Sequence, residues 1–147
     1  MRNYKFYTVL FLLFTLSTLA SCVNNPKKTT TADKPTQEIQ KTTSIRKVDT
    51  KTFKSEIEGK KIQLVDVRTP KEYVQGHIEN SENINVFDNN FMAQMAKYKK
   101  DQPVYVYCRS GGRSMKAAGK LKAAGYNVVN LNGGFMGWEK NGYKSVK

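Results

Sequence analysis

Seven consecutive residues, Cys108-Arg109-Ser110-Gly111-Gly112-Arg113-Ser114, concentrate the reactive groups of this chain. A cysteine acts as a nucleophile through its thiolate, which nearby cations and inward-turned amides favour over the thiol. Two glycines let a backbone curl until successive N–H groups converge, making a nest for an anion. Arg109 and Arg113 add two full charges close by in sequence. Such a cradle suits a thiolate, a thiosulfate, a sulfite or a persulfide anion. A buried cysteine at a strand end would instead be an inert small hydrophobe. The flanking arginines argue against that reading of Cys108.

The chain has 2 cysteines, and the amino terminus accounts for the other. Arg2 and Lys5 precede an apolar run from Tyr7 to Ala20, and Leu19-Ala20-Ser21-Cys22 closes it with small residues before a cysteine. Charge, a short apolar run and a small-residue site, in that order, make a secretory signal. The run is shorter than the roughly 20 apolar residues of a membrane-spanning helix. Leu-Ala-Ser-Cys resembles a bacterial lipobox, so residues 1–21 are expected to be a signal peptide and Cys22 a lipidated first residue. The expected location is outside the cytosol, anchored by lipid to a bacterial membrane. Residues 22–43, rich in Thr, Lys, Asn and Gln, read as a tether too polar to offset the entropy of ordering it. With Cys22 blocked, Cys108 stands alone, and no resolving thiol exists for dithiol redox chemistry.

A cysteine loop needs a rigid frame, and residues 44–147 alternate strand and helix patterns. Strands are expected at Ser44–Val48, Ile62–Val67, Ile84–Val86, Val104–Tyr107 and Val128–Val129. Between them, Asp49 or Thr50 opens a helix bearing Phe53 and Ile57, and Gly59 stops it. Thr69-Pro70 opens a short helix that Gly76 ends. Asp88–Tyr98 presents Phe91, Met92, Met95 and Tyr98 on one face, and a helix from Arg113 or Ser114 to Ala124 follows the cysteine loop. A last short helix spans Gly133–Lys140. Alternation of this kind implies an α/β domain with a mostly parallel sheet, whose sites lie at the carboxyl ends of strands. Cys108 falls at such an end.

The 147 residues carry a formal charge of +13. Six of the 25 basic and two of the 12 acidic residues fall before residue 44, which leaves the domain at +9. The lysines are dispersed, and no aromatic–basic interleaving marks a nucleic-acid surface. A domain that handles small anions accounts for the charge.

Three ordered stretches together resemble the single-domain rhodanese-like sulfurtransferases. They are the cysteine loop after Val104-Tyr105-Val106-Tyr107, the run from Asp66-Val67-Arg68 through Glu72-Tyr73 to Gly76-His77-Ile78, and Leu131, Gly133-Gly134, Trp138 and Gly142-Tyr143. The resemblance implies a three-layer domain with a five-stranded sheet flanked by helices. It implies a ping-pong reaction, in which Cys108 takes sulfur from a donor such as thiosulfate and passes it to cyanide or a thiol. Residues 109–113 would bind the substrate and persulfide, while Asp66 and Arg68 support the site by pairing with backbone or with each other. No metal or organic cofactor is required, and a protein thiol is a further candidate acceptor. Asn80-Ser81 replaces the family's usual Gly-Ala; Asn tolerates a left-handed backbone, so the turn should survive. Lys144 stands where proline is frequent. His77 and Trp138 read as structural.

Two rivals remain. Cysteine phosphatases and arsenate reductases also set a cysteine and an arginine around an anion, but with five intervening residues; here four separate Cys108 from Arg113. Rhodanese-like docking modules without activity commonly lack the cysteine.

Overall fold

The computed structural model describes residues 42–147. The expected signal peptide (1–21), Cys22 and the tether through residue 41 lie outside the described residues. Among the described residues no helix is long and apolar enough to cross a membrane.

Strands and helices alternate in the order β1 (Ile45–Val48), α1 (Thr50–Ile57), β2 (Gln63–Asp66), α2 (Pro70–Tyr73), β3 (Glu82–Asn83), α3 (Phe91–Met95), β4 (Val104–Tyr107), α4 (Gly112–Ala123), β5 (Val128–Leu131) and α5 (Gly134–Lys140). The five strands lie in the order β1-β5-β4-β2-β3, and every pairing is parallel. A parallel sheet must be covered on both faces, and the side-chain period of two supplies the cover. Val104, Val106 and Cys108 point into a cluster with Ala117, Ala118 and Leu121 of α4 and Phe91 and Met95 of α3. Tyr105 and Tyr107 point the other way, into a cluster with Phe53 and Ile57 of α1 and Phe135 and Trp138 of α5. Three layers result.

Local signals explain the helix starts. Asp49 accepts a hydrogen bond from the Thr52 amide at 2.7 Å, capping α1. Thr69 and Glu72 form a reciprocal capping box at α2, with Pro70 in the first turn.

Two elements differ from expectation. The third strand is not Ile84–Val86 but the two residues before it, paired Val65 to Glu82 and Asp66 to Asn83. Ile84 and Val86 are buried, and their amides donate to the carbonyls of Asp66 (3.0 Å) and Val67 (3.3 Å), so the chain stays alongside β2 beyond the two strand residues. The Asn83 side-chain amide donates to the carbonyls of Asp66 (3.0 Å) and Arg68 (2.9 Å), so a side chain takes up acceptors at the end of this edge. The helix expected over Asp88–Tyr98 contracts to Phe91–Met95, because Asn90 supplies no side-chain cap and single turns flank it. Its inward residues Phe91 and Met95 are those the spacing selected. Asn80 does adopt the left-handed backbone, with φ 62°.

Candidate active site

β4 ends on Tyr107, and the loop turns at once into α4. Gly111 takes φ +106° and precedes the first residue of the helix, a conformation that side chains rarely adopt. This turn brings the Gly111 amide to 3.1 Å from Cys108 Sγ, which accepts its hydrogen bond. Burial pushes the Cys108 thiol up, but the Ser114 hydroxyl and then the amides of Ser114, Gly111 and Ser110 more than offset it. Cys108 therefore ionises below the ordinary thiol range. The positive end of the twelve-residue α4 acts in the same sense.

Ser114 Oγ has one proton and two claimants. It donates to the Gly111 carbonyl at 3.1 Å, while its position also serves the sulfur. A thiolate is the stronger acceptor, so ionisation turns the hydroxyl towards Sγ. Cys108 is only 1% exposed.

The two loop arginines behave differently from each other. Arg109 is exposed and offers its carbonyl to the Met136 amide at 2.9 Å. Arg113 grips Glu72 through two nitrogens, at 2.7 and 2.6 Å. That pair holds the Glu72 carboxyl down, to about 2. Glu72 also accepts from the Thr69 amide (3.1 Å) and hydroxyl (2.8 Å), so α2 and the cysteine loop are fastened together. The positive charge expected from Arg113 is thus largely balanced where it stands. Gly112 is exposed at the start of α4.

Asp66 and Arg68 form a buried pair beneath this mouth. Arg68 Nη2 lies 2.6 Å from Asp66 Oδ2 and 2.7 Å from the Gly76 carbonyl oxygen, and Nε lies 2.8 Å from Oδ2. The guanidinium carbon sits 4.2 Å from the Phe135 ring centroid. A charge this deep is tolerable only with its hydrogen bonds filled, as here. From the opposite side, the amides of Phe135 and Met136 donate to the carbonyls of Cys108 (2.8 Å) and Arg109 (2.9 Å), pinning the loop to α5. His77 stacks on Tyr73 at 3.8 Å and its backbone bridges Val146, so its contacts fasten the carboxy-terminal segment. Trp138 is buried and donates to the Lys144 carbonyl at 2.9 Å.

Residues 49–141 match the family described as Rhodanese-like domain. This chain belongs to that family. A sulfurtransferase of Allochromatium vinosum is 38% identical over 86 residues, which cover 58% of this chain and 78% of that protein. Thiosulfate sulfurtransferase 16 of Arabidopsis thaliana is 35% identical over 91 residues, 54% of this chain and 76% of that one. Among solved structures, a rhodanese-related protein of Thermoplasma volcanium superposes with a TM-score of 0.62 at 30% identity, covering 69% of this chain and 97% of that one.

The rhodanese-like site thus gathers Cys108 with the amides of Ser110 and Gly111, and sequence reasoning reached those. It missed two side chains. Ser114 closes the nest, and its place one helical turn beyond Gly111 was the available signal. Glu72 was read only as part of a family motif, although the capping-box spacing from Thr69 fixes its direction.

Proposed function

We propose that this protein is a sulfurtransferase that carries sulfane sulfur on Cys108 as a persulfide, loaded from a donor such as thiosulfate and unloaded to cyanide or a thiol. The observation that carries this reading is the Gly111 amide directed at Cys108 Sγ, with Ser114 beside it. In loading, thiolate Cys108 attacks the outer sulfur of thiosulfate. A sulfur–sulfur bond forms to Sγ, the bond to the sulfonate sulfur breaks, and its electron pair leaves with sulfite. The charge of the departing dianion equals that of the incoming one, and the persulfide retains the single negative charge of the thiolate. In unloading, cyanide attacks the terminal sulfur and leaves as thiocyanate, restoring the thiolate. The amides of Ser110, Gly111 and Ser114 stabilise the negative sulfur without reorganising. The chemistry needs no metal or organic cofactor.

By the same reading Cys22 bears the lipid, and the tether holds the domain at a bacterial membrane on the exported side. Two or more acyl chains, at about 0.8 kcal/mol per buried CH₂, give stable retention.

Intact mass spectrometry of the protein after incubation with thiosulfate tests the reaction. The wild type should gain one sulfur atom and lose it to cyanide, and Cys108→Ser should gain none. A wild type that takes up no sulfur from any sulfane donor leaves a tethered docking module instead.

A further inference from the structure

We infer that a cavity beside α1 is a second binding site, separate from the cysteine loop, for an amphiphilic anion: one acid group on an apolar chain. The cavity measures about 620 Å³, and Ile57, Ile62, Leu64, Ile78 and Trp138 contribute its hydrocarbon. Four of these belong to the core cluster under α1 and α5, and Ile62 packs against it. Cys108 belongs to the cluster on the other face of the sheet. None of the residues that hold its sulfur lines the cavity.

The fold builds this opening. β3 pairs only with Val65 and Asp66, so β2 has no outer neighbour at Gln63 and Leu64. α1 ends at Ile57, and Gly59, at φ +68°, turns the chain back towards β2. A second left-handed turn, at Asn80 with φ 62°, contributes to the same wall. Trp138 donates to the Lys144 carbonyl at 2.9 Å and so holds that segment at the rim. Tyr143 meets the same indole edge-on, with ring centroids 5.1 Å apart. These walls are fixed by the protein's own contacts, as in the small-molecule sites that are largely formed in advance.

Charge selects the head group. Lys54, Lys60, Lys61 and Lys144 line the cavity together with Glu58 and Glu79. Lys54 is paired with Glu58, whereas Lys60, Lys61, Lys144 and Glu79 have no ion-pair partner among the described residues. Lys60 Nζ donates to the Ser55 carbonyl at 3.0 Å, which leaves its charge intact. Three cations against one carboxylate favour an anion. An inorganic anion would gain nothing from the hydrocarbon beneath, and a neutral hydrocarbon would leave the lysines unanswered. The volume falls within the roughly 300–1,000 Å³ of small-molecule sites, so it suits a single molecule and not a stretch of membrane.

Trp138 is the only tryptophan of the chain, so its fluorescence reports on this cavity and not on ligand bound elsewhere. The full-length protein is titrated with 11-bromoundecanoate below its micelle concentration; the bromine quenches an indole on contact. The neutral alcohol 11-bromoundecanol has the same body and serves as control. The acid should quench saturably, with a midpoint about tenfold below that of the alcohol. Replacing both Lys61→Gln and Lys144→Gln should weaken the acid about tenfold and leave the alcohol unchanged. Both positions are exposed, so the fold is not at stake. Quenching that never saturates, equal midpoints for acid and alcohol, or a double variant that binds the acid as the wild type does would each overturn the inference. Quenching seen only with vesicles of a brominated anionic phospholipid would assign the cavity to a membrane surface and overturn it too. None of these outcomes bears on sulfur loading at Cys108.

Discussion

A methyl group on Gly134 would come within 2.4 Å of the Cys108 carbonyl oxygen and 2.7 Å of the Arg109 carbonyl carbon. Both are backbone atoms of the reactive loop, so neither can swing aside, and Gly134 itself sits at φ +58°. The amino end of α5 and the end of β4 thus touch at a point where only glycine fits. That contact lets the Phe135 and Met136 amides reach the two loop carbonyls. Gly134→Ala is expected to cost about 1–3 kcal/mol in backbone displacement. Because the displaced backbone is that of Cys108, sulfur loading should fall more than stability predicts. Urea unfolding with adduct formation under native conditions checks this, and a fully active, fully stable variant would refute the tight contact.

The thiolate should be measurable by its reactivity. Iodoacetamide alkylation of Cys108, followed by peptide mass against pH, should reach half its plateau below the ordinary thiol pH. Ser114→Ala removes the largest of the groups that favour the anion, leaving burial to push the thiol up. Its midpoint should therefore move to higher pH. An unmoved midpoint would assign the hydroxyl to the Gly111 carbonyl alone.

These residues mark where sequence reasoning succeeds and where it stops. The sheet was legible because β4 alternates Val and Tyr between two faces and carries the cysteine at its carboxyl end. The nest was legible because glycine and anion chemistry go together at a strand–helix turn. β3 was placed a step late because apolar type reports burial, and Ile84 and Val86 still donate to the Asp66 and Val67 carbonyls, whereas the regular pairing falls on the polar Glu82 and Asn83 before them. Arg113 was expected as a full charge facing the sulfur because its partner Glu72 is distant in sequence. Only the fold places α2 against the loop.

The buried pair under the mouth carries a stability prediction. Arg68→Met would remove the donor to both Asp66 and the Gly76 carbonyl, leaving a carboxylate that is 0% exposed without its counter-charge. Breaking such a pair from one side costs about 3–5 kcal/mol, because the surviving charge cannot reach water. Chemical denaturation at neutral pH measures it. The loss should shrink when Asp66→Asn is added, and two fully additive losses would show that the pair does not act as a unit.

Arg113→Ala should slow loading from thiosulfate without unfolding the domain. The substitution leaves the Glu72 carboxylate facing the mouth with its charge unbalanced, which repels a dianion. Adding Glu72→Gln removes that charge and should restore part of the rate. If the double variant is as slow as the single one, Arg113 acts by direct contact with the donor instead.

The same pair makes stability depend on acidity, with a sign that can be worked out. In the unfolded chain Glu72 ionises near the ordinary 4.5, and in the folded protein Arg113 and Thr69 lower that to about 2. Between those values the unfolded state holds a proton that the folded state does not, so stability rises with pH through this window. The contribution is fully present above about 4.5 and is lost as pH falls through about 2. Side-chain exposures of 22% for Arg113 and 27% for Glu72 leave the pair partly screened, so its share of the acid transition is modest. Urea midpoints at pH 3 and pH 6 should therefore differ less in Glu72→Gln than in the wild type. Equal pH dependence in the two proteins would mean that Arg113 releases Glu72 in solution, and that α2 and the cysteine loop are not joined there.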